Sequence, residues 1–268
     1  MNRWWCLWVV MVGSVQGADL SVGLGVAVLP PVSDDDWQVF PAPSFRYEAN
    51  GYSVASQGPG IGADLVPSPL LSMGPLVRYS GGRDENDLPD IPASAEIGLS
   101  ASTGLPWKVI GVPLPGIATV GSEVVTTWPG GHESPYGKFS LGWVWPATDK
   151  LTLISSASAS YFSDSYADRF FSLNSSEASR AGVEPYDADA GWQDLGLTLV
   201  TAYRFKPRWS AVTVLSHSHY IGDAADSSVT ERLDDRDRQA LVFSISYQWL
   251  GDGRRSRTRP SDAAEAAD

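Results

Sequence analysis

The sequence predicts an all-β fold, an antiparallel transmembrane β-barrel of about twelve strands. Stretches of about ten residues with alternating apolar and small or polar side chains recur along the chain, each ending at a turn signal. The connections between these stretches fall into a short set and a long set. Gly (26), Pro (19), Trp (11) and Tyr (10) are abundant in the 268 residues, which favours strands, turns and interfaces over helices.

The first seventeen residues have the features of a secretory signal peptide. Arg3 supplies the positive start, 4–12 form the apolar run, and 15–17 form a small-residue cleavage site before Ala18. The run is too short to cross a bilayer as a helix. Because Cys6 is the single cysteine and lies in this run, the mature chain would have neither a disulfide nor a thiolate site.

The first and last predicted strands show the alternation most clearly. One face of the first is wholly apolar: Leu20, Val22, Leu24, Val26 and Val28. One face of the last carries larger groups: Leu241, Phe243, Ile245, Tyr247 and Trp249. In a membrane barrel these faces would point toward lipid, and the aromatic end of the last strand would suit a membrane interface.

Ten further strands lie between these two. The twelve predicted strands are 20–28, 37–47, 52–57, 60–66, 70–80, 93–104, 117–128, 137–146, 150–162, 194–206, 208–221 and 241–249. Since the number is even, both ends of the chain lie on the same side of the membrane.

The connections predict which side faces which compartment. The short ones, 48–51, 67–69, 146–150 and 206–208, are expected to be periplasmic turns. The long ones are acidic and are expected to be extracellular loops: 34–36, 83–87, 163–193 and 223–237. Two connections depart from this rule, a short outer hairpin at 57–60 and a long inner one at 106–116.

Three regions follow from these patterns. Residues 1–17 are the signal peptide, 18–250 the outer-membrane barrel, and 251–268 a disordered periplasmic tail that is first Arg-rich and then rich in Ala and acid. The net charge of -12 argues against a nucleic-acid partner, which requires clustered Lys and Arg.

Charged residues within the alternating strands are candidates for the barrel lumen. An inward orientation is expected for Arg46, Arg78, Glu96, Lys138 and Arg204. Arg78 and Glu96 lie on neighbouring strands, so they could pair across the interior. Two interpretations stay open: a charged constriction that selects solutes, and structural ion pairing in a filled barrel.

No catalytic, cofactor or metal residue is predicted, and we do not expect an enzyme. His217 and His219 share one strand face, with Asp223 close behind, but a third metal ligand at a fixed spacing is missing. We interpret them as a rim or interfacial pair. His132 looks like a loop-tip residue, and a Ser-His-Asp site could be assembled only from arbitrary positions.

Several motifs occur together in the order found in one known family. They are Gly74–Tyr79 followed by Gly82–Glu85, Ala93–Gly98, Gly130–His132, Trp192–Leu197, Ala202–Phe205 and Tyr220–Ser227. The chain resembles the MipA/OmpV family along nearly all of its mature length. It departs from the pattern at the nineteen residues after Trp249 and in the Pro-rich stretch 106–115.

The resemblance implies a Gram-negative outer-membrane barrel. In the name-giving member it also implies a scaffold that links the lytic transglycosylase MltA to a penicillin-binding murein synthase. We therefore expect a scaffold in contact with outer-membrane lipid and lipopolysaccharide. The alternatives are a narrow pore for small solutes and a surface adhesin or antigen that uses the acidic loops.

Overall fold

The computed structural model describes residues 18–29, 38–68, 70–83, 87–127 and 134–250. These residues form one closed antiparallel barrel in which β1 pairs with both β2 and β3, each strand from β3 onward pairs with the next, and β13 pairs with β1. The strands are β1 (Asp19–Leu29), β2 (Gln38–Pro41), β3 (Ser44–Ala49), β4 (Tyr52–Gln57), β5 (Gly60–Asp64), β6 (Leu71–Ser80), β7 (Ser94–Pro106), β8 (Ile117–Thr127), β9 (Tyr136–Pro146), β10 (Leu151–Phe162), β11 (Gly191–Lys206), β12 (Trp209–Tyr220) and β13 (Asp237–Leu250).

Strands β2 and β3 together occupy one position around the barrel. β2 pairs with the second half of β1 and β3 with its first half. The break between them falls at 42–43, where Pro43 follows Pro41, and neither proline has an N–H for the strand ladder. The prediction of twelve barrel positions is therefore confirmed, although the strand predicted at 37–47 is divided in two.

The two faces of the barrel wall differ in composition. The strand pairing places large apolar side chains such as Leu24, Leu99, Val124 and Leu197 on the outside, where they are exposed. Side chains that point inward are mainly Gly, Ser, Thr and Ala, as in the row Ser102, Gly121 and Ser140. A continuous apolar outer surface of this kind is stable in lipid, so the barrel is of the transmembrane type.

Aromatic rings lie on the outer surface near both ends of the wall. At one end Trp143 stacks on Trp145 with 5.5 Å between the ring centroids. At the same end a chain of contacts joins Phe205, Trp209, Tyr247 and Trp249. At the other end Tyr161 packs edge-on against Trp192 at 5.7 Å. Such girdles mark the two interfaces of a membrane barrel.

The two ends of the barrel differ in their connections, and we call them the short-turn end and the long-loop end. Asn50 and Gly51 join β3 to β4 at the short-turn end with φ of 54° and 82°. Two left-handed residues in succession make the type I′ turn that matches strand twist, which explains the Asn-Gly pair. The connections 107–116, 147–150 and 207–208 lie at the same end.

The connections at the long-loop end contain four short helices, which the sequence had led us to expect as loops. They are α1 (Asp164–Phe171), α2 (Ser175–Ala181), α3 (Gly222–Asp226) and α4 (Ser228–Leu233). Asn174 begins α2 with a capping box, in which its side chain accepts from Glu177 N–H and the Glu177 carboxylate accepts from Asn174 N–H. In the described part of the chain, no helix is long and apolar enough to cross a membrane.

Other differences from the predictions concern strand bounds. β11 begins at Gly191 and β13 at Asp237, in each case three or four residues before the predicted start. Several predicted features lie outside the described residues: the signal peptide 1–17, the acidic run 34–36, His132 and the tail 251–268.

The direction of the side chains in the wall predicts how a charge introduced on the outer or the inner face changes the unfolding free energy. Leu99 lies in the middle of β7 on the outer face and is 65% exposed, whereas Ser102 on the same strand faces the lumen. We expect Leu99→Arg to lower the unfolding free energy in lipid vesicles by about 2–4 kcal/mol, because the guanidinium would lie in acyl chains. Ser102→Arg should change it little. Equal losses in urea titrations of the two variants would contradict this orientation.

Candidate functional site

The long-loop end of the lumen carries a folded cap, which we define as residues 164–190 and 221–236. Phe162 and Tyr220, the last residues of β10 and β12, face the lumen and are buried. Phe171 of α1 packs between them, with centroid distances of 5.8 Å to Phe162 and 5.1 Å to Tyr220. The remaining buried members of this cluster are Ala167, Ala188 and Ala224. The cap is therefore anchored to the inner wall.

A second apolar cluster holds the helices of the cap together. It consists of Leu88, Leu173, Ala178, Ala181 and Val229, all buried. Leu88 belongs to the connection between β6 and β7, so three separate connections share this core. Burial of this kind stabilises the connections as one unit rather than as independent loops.

Buried hydrogen bonds fix the parts of the cap relative to one another and to β11. The Ser227 hydroxyl donates to the Phe171 carbonyl, and the Thr230 hydroxyl donates to the Ala224 carbonyl at 2.6 Å. Gln193 at the start of β11 accepts from Ala224 N–H at 2.9 Å. Each bond satisfies a polar group that the apolar cluster would otherwise leave without a partner.

A charged layer lies in the lumen directly beneath the cap. Arg78 of β6 reaches Glu96 of β7 at 3.5 Å and Glu123 of β8 at 2.7 Å. The Tyr136 hydroxyl of β9 donates at 3.0 Å to Oε2 of Glu96, the same oxygen that Arg78 approaches. Glu96 is only 6% exposed, so its carboxylate depends on these partners. The Arg78 guanidinium therefore links carboxylates of the neighbouring strands β7 and β8 on the inner wall.

The five charged residues predicted for the lumen do not form one ring. Arg78, Glu96 and Lys138 lie at the long-loop end, where Lys138 is directly opposite Glu123 in the register. Arg46 and Arg204 also occupy inward register positions, but at the short-turn end. There Arg46 pairs with Glu48 at 3.1 Å, and Arg204 donates to the Asp149 carbonyl at 2.7 Å.

The sequence reasoning missed four residues of this region. Glu123 is a single charge in an alternating strand, so the rule that singled out Arg78 would also have found it. Arg238, which donates to the Tyr220 hydroxyl at 2.8 Å, was missed because the last strand was predicted to begin at 241. Tyr136 has no charge and lies outside the quoted motifs, whereas Asp194 is a charge at the start of the predicted strand 194–206 and within the motif Trp192–Leu197, so the same rule would also have found it. Strand pairing brings Asp194 to Ser160 at 3.1 Å.

The histidine pair lies on the outer face of β12 near the long-loop end. Asp237, directly across on β13, lies 2.8 Å from Nδ1 of His219 and 3.4 Å from Nε2 of His217. All three side chains are exposed. Among the residues that the structure describes, no group of three or more His, Cys, Asp or Glu side chains could hold a metal ion.

Burial also raises the pKa of two groups in the cap. Desolvation raises the pKa of Tyr166 in α1 well above its ordinary value, and the nearby Tyr220 and Tyr136 hydroxyls add to the rise. Burial raises the pKa of Asp235 as well, against the opposing effect of Arg238. Tyr166 is therefore a neutral part of the aromatic cluster at physiological pH.

Comparison with known proteins agrees with this barrel and its motifs. The model of the family described as MltA-interacting protein MipA matches residues 22–249. The chain belongs to this family. Two MipA relatives named MltA-interacting protein, from Escherichia coli K12 and Shigella flexneri, are each 21% identical over 221 residues, covering 79% of this chain and 84% of theirs.

Solved structures similar to this MipA-family chain include two outer-membrane barrels. An outer membrane channel from Pseudomonas putida F1 matches with a TM-score of 0.43 and 12% identity, covering 88% of this chain and 97% of its own. The translocator domain of the autotransporter NalP from Neisseria meningitidis matches with a TM-score of 0.42 and 11% identity, covering 88% and 90%. At these scores, the likenesses carry no information on function.

Arg78 and Arg46, which form ion pairs at opposite ends of the lumen, allow a matched comparison of stability. Arg78→Gln leaves the buried Glu96 without its cation, so we expect a loss of about 3 kcal/mol in unfolding free energy. Arg46→Gln should cost about 1 kcal/mol or less, because the Arg46 and Glu48 side chains are 55% and 43% exposed. Urea titration in vesicles measures both. A larger loss from Arg46→Gln would refute a supporting role for the Arg78 layer.

Proposed function

We propose that the protein is a non-enzymatic scaffold of the outer membrane, exported by its N-terminal seventeen residues. It would hold a murein-degrading lytic transglycosylase, and through it a murein synthase, close to the membrane. The family membership and the name of the two relatives support the transglycosylase as the partner. We assign no catalytic residue.

The observation that carries this proposal is the closed long-loop end. The cap packs on lumen-facing aromatic residues, and the charges beneath it are engaged with one another rather than presented to a passage. A barrel that is blocked in this way is better suited to a structural role than to solute transport. Lipopolysaccharide and lipid would contact the outer wall.

The short-turn end would face the periplasm and carry the partner. Its polar connections are 50–51, 147–150 and 207–208, which include the exposed Asp149 and Arg208. Both ends of the barrel chain, Asp19 and Leu250, lie at this end as well, so the tail 251–268 would begin there. A periplasmic enzyme could reach all of these positions without crossing the membrane.

Site-specific crosslinking tests this proposal. A photoreactive residue at Asp149 or Arg208 should crosslink to the purified MltA-type transglycosylase in reconstituted vesicles. The same residue at Arg180, which is exposed on α2 of the cap, is the control and should not. No crosslink at the short-turn end, or an equal yield at Arg180, would refute docking at this end.

A narrow pore is the second candidate, because the middle of the lumen is lined by small and hydroxyl-bearing side chains. They include Ser100, Ser102, Thr119, Gly121, Ser140, Ser156, Ser158, Thr198, Ser244 and Ser246. Such a lining suits water and small polar solutes. In this view the cap would be the gate.

Conductance in planar bilayers separates the two candidates. We expect the native barrel to be silent and a variant without 164–190 to conduct. A four-residue Gly-Ser turn can replace this segment, because Phe162 and Gly191 are direct neighbours in the β10–β11 register. Arg180→Ala, a surface change in the same segment, should stay silent. Steady openings of the native protein would favour the pore.

A further inference from the structure

The connection between β7 and β8 is unusual for a short-turn-end segment in its length and apolar surface. Residues 107–115 read Trp-Lys-Val-Ile-Gly-Val-Pro-Leu-Pro, with Lys108 as the single charge. Val109, Ile110 and Leu114 are 65%, 47% and 41% exposed. Three exposed aliphatic side chains within six residues form an apolar surface that requires a partner.

This segment bends toward the outer surface of the barrel. The indole N–H of Trp143 donates to the Pro115 carbonyl at 2.8 Å. Trp143 lies on the outward register of β9 and stacks on Trp145 in the aromatic girdle. Gly116, with a φ of 90°, provides the left-handed bend that returns the chain to β8. The apolar segment is therefore continuous with the lipid-facing wall.

The backbone of the segment satisfies most of its own hydrogen-bond donors. Val109, Gly111, Val112 and Leu114 donate to carbonyls at 106–112, and Trp107 N–H donates to the Gly116 carbonyl. Positions 113 and 115 are prolines, which have no N–H. The indole N–H of Trp107 is the one buried side-chain donor of the segment without a partner in the structure. Few unmet backbone donors lower the free-energy cost of moving the segment from water into a bilayer interface.

The adjacent connection has the same character. Leu65 and Leu70, at the turn between β5 and β6, are exposed, and Leu70 accepts from Gly104 N–H of β7 at 3.1 Å. The next two connections around the same end, 147–150 and 207–208, are polar instead, with Asp149, Lys150 and Arg208. The short-turn end thus has an apolar sector, formed by the β5–β6 and β7–β8 connections, and beside it a polar sector.

We propose that residues 107–115 are an interfacial membrane anchor, lying in the boundary between headgroups and acyl chains of the leaflet at the short-turn end. Val109, Ile110 and Leu114 enter the acyl region, and Lys108 extends to the lipid phosphates. The ligand is the phospholipid surface itself. The anchor does not depend on the proposed scaffold function, and it leaves the polar sector free for a periplasmic protein.

Fluorescence in vesicles tests the anchor. The chain expressed from Ala18 lacks Cys6 and therefore has no cysteine, so a single Ile110→Cys can carry an environment-sensitive nitrobenzoxadiazole label. The control is Asp149→Cys, in the polar turn at the same end. Both barrels are refolded into phosphatidylcholine vesicles, with heat-modifiable gel migration as the check on folding.

The label at position 110 should show blue-shifted emission and stronger quenching by lipids spin-labelled near the headgroup than the label at 149. Equal emission and equal quenching at the two positions would overturn the anchor. Shielding of position 110 that appears only in native envelopes, and not in pure lipid, would also overturn it and indicate a protein partner. Neither result bears on crosslinking at Asp149 or Arg208.

Discussion

Closure of the strand ladder is the constraint on which the rest of this structure depends. In acyl chains an unpaired backbone N–H or carbonyl has no water to bind, so the sheet must have no open edge. The pairing of β1 with β13 removes both edges by bringing the first and last strands together. Once the ladder is closed, the register fixes which side chains face lipid and which face the lumen.

Charged side chains in the lumen near the cap are paired with one another. Glu96 is buried and has little access to water, so Arg78 is shared between Glu96 and Glu123, and Tyr136 donates a hydrogen bond to Glu96. The cap above this layer is packed on rings of the wall itself. The charged layer and the cap are therefore parts of one packed unit at the long-loop end.

The connections at the short-turn end form two sectors, one apolar and one polar. Its apolar sector, around Val109 and Ile110, continues the lipid-facing wall, whereas its polar sector carries Asp149 and Arg208. An anchor in the lipid on one side would hold the polar connections at a fixed height above the leaflet.

The sequence by itself determined the strands, their number and the direction of their side chains, because a period of two is a local property of the chain. It therefore predicted the lipid face of Leu24 and the inward register of Arg78. Only the tertiary structure decided that Arg78 lies between two carboxylates, since the register between distant strands sets that contact. The same holds for the cap, because helices this short form only when packing stabilises them: α1 packs on Phe162 and Tyr220, and α2 packs against Leu88, Leu173 and Val229.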